Sequence, residues 1–227
     1  MRIREYENMV QIDSLQLGND VVMRTPTARN LGVIIDSHLS LEQQVNDVRK
    51  KCYYYLKWIK VIRPYISAYV AKVLVQALVI GRLDYCNALY IGLPKYLLQR
   101  LQAVQNAAAR VITKCARDDS ISEACKTLHW LPVEQRVSFK IDTLVYKALH
   151  DSAPNYVSSL VKIKDSRRTL RSSDTQLLEQ PKANMKYGER AFSIAGPREW
   201  NKLPVHIRTA KSFMSFRKQL KTHLFRI

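Results

Sequence analysis

Carboxylates set close together are the first residues to consider for chemistry, because metal-dependent phosphoryl transfer needs two or three of them converging on paired ions. The one adjacent pair is Asp118-Asp119. It follows Arg117 and precedes Ser120 at an expected helix start, where acids favour the helix dipole, so capping outranks metal binding. A polymerase pair would lie in a strand turn between apolar residues. Hydrolytic chemistry is no better served, since there is no Gly-x-Ser-x-Gly elbow, no His-Glu-x-x-His pair and no phosphate loop. His38, His129, His150, His206 and His223 are scattered singly. Cys52, Cys86, Cys115 and Cys125 lack any Cys-x-x-Cys spacing and read as reduced thiols. Cys115, Cys125 and His129 would need a fourth ligand that the spacing does not supply.

Charge points elsewhere. The 227 residues hold 37 Lys and Arg against 19 Asp and Glu, a net charge of +18. Such an excess costs self-repulsion and implies a polyanionic partner, nucleic acid ahead of a membrane surface. By segment the net charge is 0 over 1–35, +8 over 36–115, −1 over 116–161 and +11 over 162–227. Two basic stretches therefore flank a nearly neutral middle. The N-terminus has no apolar signal-like run, and the longest apolar stretch, Val73 to Ile80, is short and interrupted by Gln76, so it reads as core.

The elements that must carry this charge are mainly α with a small β portion. Val10-Gln11-Ile12 and Leu15-Gln16-Leu17, then Gly18-Asn19-Asp20 and Val21-Val22-Met23, predict a hairpin, and Leu31 to Ile35 a further strand. From Ser40 the period turns helical through Leu41, Val45, Val48, Cys52, Leu56 and Ile59, with Ser40 and Gln43 as an expected capping box. Pro64 stops this helix. Ser67 is expected to cap a second helix through about Ile80, and Pro94 precedes a third whose face is Leu97, Leu98, Leu101, Val104, Ala108 and Val111. A second helical set is expected from Ser120, with Glu123 in another capping box, and again after Leu131-Pro132. Past Pro154 a short helix leads to the polar run 162–173, read as a linker or binding loop and a subdomain boundary. A possible strand at Leu177-Leu178, turns at Tyr187-Gly188 and Gly196-Pro197, and a final helix after Ser212 complete the chain.

Several runs together resemble one family. Asn30 to Asp36, Leu39-Ser40-Leu41, Ile62-Arg63-Pro64-Tyr65, Arg82-Leu83-Asp84-Tyr85-Cys86-Asn87, Gly92-Leu93-Pro94, Leu101 to Arg110, Leu128 to Pro132 and Tyr146 to His150 closely resemble the C-terminal portion of non-LTR retrotransposon reverse transcriptases of the jockey and CR1-like type. Tyr187-Gly188, Ala191-Phe192, Gly196-Pro197, Trp200-Asn201 and Leu203-Pro204 continue the resemblance.

The resemblance implies a polymerase palm ending near residue 36, a helical thumb over 37–115, a helical post-thumb unit over 116–161 and a basic α+β segment over 162–227. It also implies that the family's catalytic aspartates lie upstream, so this chain resembles a truncated element copy or an incomplete gene model that is not itself an enzyme, with a helical protein-interaction module or a non-functional element remnant as the alternative. The family uses Mg2+; no cofactor or metal is expected in this chain. Leu31 and Gly32 resemble the primer grip. Arg49, Lys50, Lys51, Lys57, Lys60 and Arg63 of the thumb-like helix, with Arg167, Arg168 and Arg171 of the polar run, are the expected phosphate contacts. Tyr53, Tyr54 and Tyr55 are either packing residues or stacking platforms. Arg82 with Asp84 is expected to form a structural ion pair. The expected partner is RNA or RNA–DNA duplex, bound weakly and without sequence preference; a protein partner or a missing palm domain is the other reading, and no membrane is expected.

Overall fold

A computed structural model of the chain describes residues 13–116, 119–164, 176–183, 185 and 187–226. They fall into two units, one ending at Gln44 and one beginning at Val45.

In the first unit the expected hairpin is present: β1 (Ser14–Leu17) pairs antiparallel with β2 (Asp20–Met23), Leu17 opposite Asp20, across Gly18-Asn19. Val10-Gln11-Ile12 lies outside the described residues. A second hairpin pairs β3 (Thr27–Asn30) with β4 (Val33–Asp36). Strand β3 reads Thr-Ala-Arg-Asn and is mostly exposed, so apolar patterning could not announce it. The turn between them is Leu31-Gly32 with φ of 46° and 82°, the two left-handed residues of a type I′ hairpin turn.

The entry to α1 (Glu42–Ile62) is built differently from the expected capping box. The Ser40 hydroxyl does accept from the Glu42 N–H at 3.3 Å, but Gln43 does not reach back. Asp36 takes its place: its carboxylate accepts the backbone N–H groups of His38, Ser40 and Leu41 at 3.1, 2.9 and 2.7 Å and the Ser40 hydroxyl at 3.1 Å. Beside it, the Gln44 side chain accepts the Ile34 N–H at 2.8 Å, which ties β4 to the first turn of α1.

The second unit is helical. Ser67 caps α2 (Ala68–Val75) as expected, its hydroxyl accepting from the Val70 N–H. The helix then runs on through a π-helical turn, Gln76–Ile80, into α3 (Gly81–Asp84), past the expected end. After Pro94 comes α4 (Lys95–Thr113), in which Leu97, Leu101, Val104 and Ala108 are buried; Leu98 and Val111 are half-buried. There follow α5 (Ile121–Thr127), α6 (Val133–Leu149), α7 (Asn155–Ser158), α8 (Phe192–Lys202), α9 (Val205–Arg208) and α10 (Phe213–Leu224), the last capped by Ser212. Ser120 makes no side-chain cap on α5, and Glu123 instead pairs with Lys126.

Helix α6 is the centre of this unit, packed by α4, α7, α8 and α10. From Val45 on, described elements of the stretches expected as thumb, post-thumb and C-terminal segment thus pack together within this unit. Tyr146 of α6 stacks on Phe216 of α10 at 4.3 Å, and its hydroxyl donates to the Ala210 carbonyl. Gly196-Pro197, expected as a turn, lies inside α8. A Cβ on Gly196 would meet Val145 Cγ2 of α6 at 3.1 Å, so the missing side chain is what lets the two helices approach. The expected strand at Leu177-Leu178 is reduced to a single bridge, Leu178 to Ile163. Asn201 completes it by accepting from the Leu178 N–H and donating to its carbonyl, both at 2.9 Å, while Trp200 Nε1 donates to the Gln176 carbonyl.

Asp142, like Gln105, Asn87 and Arg208, is a polar residue buried in this core. It is 1% exposed, and its Oδ1 has no protein hydrogen-bond partner. Burial, reinforced by the Glu199 carboxylate and opposed by Lys202, holds its pKa well above the ordinary value of 3.8. A carboxyl raised in the folded state takes up protons on folding, so its contribution to stability is greatest below the unfolded pKa and declines as pH rises towards the folded one. Asp142→Asn should therefore unfold at higher temperature than the parent at neutral pH. The difference should shrink as the pH is lowered towards 4; a parent as stable as the variant at neutral pH would contradict it.

Candidate nucleic-acid interface

Helix α1 turns its Val45, Val48, Cys52, Leu56 and Ile59 seam inward. At steps of four, four and three along one flank lie Arg49, Tyr53, Lys57 and Lys60, with exposed Lys50 close by. The Arg49 guanidinium rests 5.7 Å from the centre of the Tyr53 ring. Lys51 is set apart from this group: it points to the other flank and pairs with Asp47 at 2.7 Å, which offsets its charge.

Between α1 and α4 the structure opens a cleft of about 720 Å³. One wall is Tyr53, Leu56, Lys57, Lys60, Arg63 and Pro64; the other is Ala107, Arg110, Val111, Lys114 and Cys115. Five cations thus border one depression, and no carboxylate is among its described lining residues. Ala107 keeps the α4 wall low. Lys114, at φ 56°, ends α4 in the left-handed conformation and lines the cleft. Arg110 and Lys114 were not among the residues expected from sequence. Their signal was a basic pair four apart at the close of an alanine-rich helix.

Arg63 needs a correction. It is a buried residue whose guanidinium is spent on backbone: Nε donates to the Val111 carbonyl at 2.9 Å, Nη2 to Ile112 at 2.9 Å and Nη1 to Ile66 at 3.0 Å. Val111 and Ile112 lie in the last turn of α4, where carbonyls have no helical partner. Arg63 is thus a clamp joining the end of α1 to the end of α4, and it sets the width of the cleft instead of presenting charge to a phosphate.

The expected Arg82–Asp84 pair is also redrawn. Arg136 of α6 binds Asp84 with both Nε and Nη2, and Asn87 leans on the same carboxylate at 3.5 Å. Arg82 lies over the Tyr55 ring, 4.8 Å from its centre, with Nη2 donating to the Tyr55 hydroxyl at 3.2 Å. This motif therefore locks α3 to α1 and to α6. Cys52, beneath it, is buried, which pushes its thiol up to about 11.

Leu31 and Gly32 stand at the tip of the second hairpin, Leu31 being 84% exposed. Arg167, Arg168 and Arg171 lie outside the described residues, as does Asp118. Asp119 accepts the Ala116 N–H at 2.7 Å, closing a turn after α4 instead of capping α5. Among the described residues no three His, Cys, Asp or Glu side chains converge on a common point. No helix of the described residues is long and apolar enough to cross a membrane.

Comparison with family models, with curated proteins and with solved structures gives no match.

Proposed function

We propose that the chain is a nucleic-acid-binding segment of a non-LTR retrotransposon reverse transcriptase, its helical unit serving as thumb and post-thumb, and that it holds sugar-phosphate backbone in the cleft between α1 and α4. The observation that carries this reading is the cleft lining, where Lys57, Lys60 and Lys114 are gathered with no described carboxylate among them. Like charges held together repel unless a polyanion occupies the space, and phosphate contacts are the sequence-independent part of nucleic-acid binding. RNA and RNA–DNA duplex are the proposed partners, bound weakly and with little sequence preference. This reading gives the chain no catalytic role.

Titration of a short RNA–DNA duplex over a range of salt concentrations tests it. Each neutralised phosphate contributes about −0.9 to the slope of log K against log salt on duplex. Replacing Lys57, Lys60 and Lys114 together by Gln should flatten that slope by about 2–3 and weaken binding at every salt concentration. The same charge change at Lys72, Lys140 and Lys211, which are exposed and line no part of the cleft, should leave the slope nearly intact. Equal loss from both triple variants would show that charge acts only in bulk. Binding that ignores salt altogether would favour the alternative, a protein-interaction module. The observation behind that alternative is the β1–β2 hairpin, whose Leu15, Leu17, Val21, Val22 and Met23 are all exposed.

A further inference from the structure

Next to the basic flank of α1 runs a second exposed row, Tyr54, Trp58 and Val61, at steps of four and three. Tyr54 is 59% and Trp58 53% exposed, an unusual placement for two large rings on a helix. They are not loosely held. Arg82 fixes Tyr55 by its hydroxyl and ring face; Tyr54 stands edge-on to Tyr55 at 5.4 Å and 82°, and Trp58 lies 6.3 Å from Tyr54 at 72°. A chain of ring contacts thus leads from the half-buried Tyr55 to the two exposed side chains and restricts their rotamers before any ligand arrives.

We infer that Tyr54 and Trp58 form a base-stacking platform for single-stranded nucleic acid whose phosphates lie along the adjoining basic flank and cleft. The inference rests on the proposed cleft function and adds the strandedness of the ligand. Lys57 Nζ sits 6.0 Å from the centre of the Trp58 ring, so one nucleotide can place its phosphate on the lysine and its base on the indole. Stacking requires a base with an open face. In a duplex those faces are covered by neighbouring pairs, whereas a single strand can splay successive bases onto rings set at steep angles to each other. A protein partner would want the apolar row without the neighbouring lysines; the charge beside it matches a phosphate chain.

The chain contains its own reporter. Of its three tryptophans, Trp130 is 5% and Trp200 0% exposed, which leaves Trp58 as the one open to stacking. Oligouridylate should quench tryptophan fluorescence, a short RNA–DNA duplex should quench it far less, and Trp58→Phe should abolish the response while keeping most of the affinity. Trp58→Ala and Tyr54→Ala, at exposed positions, should each weaken oligouridylate binding by about five-fold or more and leave duplex binding within about two-fold. If both alanine variants bind oligouridylate as tightly as the parent does, while Lys57, Lys60 and Lys114 substitutions still weaken the duplex, the platform is overturned and the cleft stands. If the lysine substitutions also change nothing for either ligand, the cleft reading fails and the platform falls with it.

Discussion

Arg63→Met is expected to destabilise the helical unit by about 3–5 kcal/mol. Three hydrogen bonds from a charged donor are worth about 1.5–3 kcal/mol each, reduced where water reaches the Val111 or Ile66 carbonyl, and the buried Ile112 carbonyl is left without its donor. Arg63→Lys should recover little, because one ammonium cannot span three carbonyls that a planar guanidinium reaches from three nitrogens. The measurement is the urea midpoint at constant m-value. Duplex affinity should fall as well, since the clamp sets the cleft walls, but it should return under conditions that restore the fold. A variant with unchanged stability and lost affinity would make Arg63 the direct phosphate contact that its place beside Lys60 suggested from sequence.

That residue shows where sequence reading succeeds and where it stops. The period of three and four through Val45, Val48, Cys52, Leu56 and Ile59 is sufficient to place α1 and its inward face, and a serine before an apolar run marks the starts of α2 and α10. Spacing along one helix also separates Lys57 and Lys60 from the seam. It cannot say what lies across from them. Arg63 is one position past the end of α1, and only the arrival of the α4 terminus turns it from surface cation to buried clamp. Arg110 and Lys114 join Lys57 and Lys60 through the packing of two helices separated by more than thirty residues of chain. Pro197 illustrates the opposite failure: Gly-Pro signals a turn locally, yet close contact of α8 with Val145 of α6 outweighs that preference.

The most distinctive runs of the sequence have mainly architectural work in the fold. Asp84 receives Arg136, Arg82 grips Tyr55, Trp200 and Asn201 hold the strand-like segment at Gln176 to Leu178, and Gly196 admits α6. The cleft cations are mostly outside those runs. A family resemblance carried by such residues therefore speaks to how the helices are assembled, while a phosphate-binding surface needs only charge in roughly the right place and tolerates change at each position.

Removing the Asp36 carboxylate should have the largest effect within the first unit. In Asp36→Ala the N–H groups of His38, Ser40 and Leu41 lose an ionised acceptor, and Leu41, at 4% exposure, has little water to replace it. Leu39 and Leu41 also sit at φ of 49° and 57°, left-handed values that cost a side-chain-bearing residue roughly 1 kcal/mol each unless the surroundings impose them. With the acceptor gone the segment should relax to ordinary backbone, and the expected loss is about 2–4 kcal/mol. Amide hydrogen exchange at Ser40 and Leu41 measures it directly, as a loss of protection relative to the amides of α4. Burial raises the Asp36 pKa, but the bonds from the Ser40 and Leu41 backbone, the Ser40 hydroxyl and the His38 backbone outweigh it, so the net value lies below the ordinary 3.8. A carboxyl lowered in the folded state contributes stability above the unfolded pKa and loses it as pH falls through the folded one. Protection at Ser40 and Leu41 in the parent should accordingly persist at neutral pH and drop below pH 3.8, whereas in Asp36→Ala it should be low at both and insensitive to acid. Equal protection in parent and variant at neutral pH would mean that the β3–β4 hairpin and Gln44 hold the entry to α1 without the carboxylate.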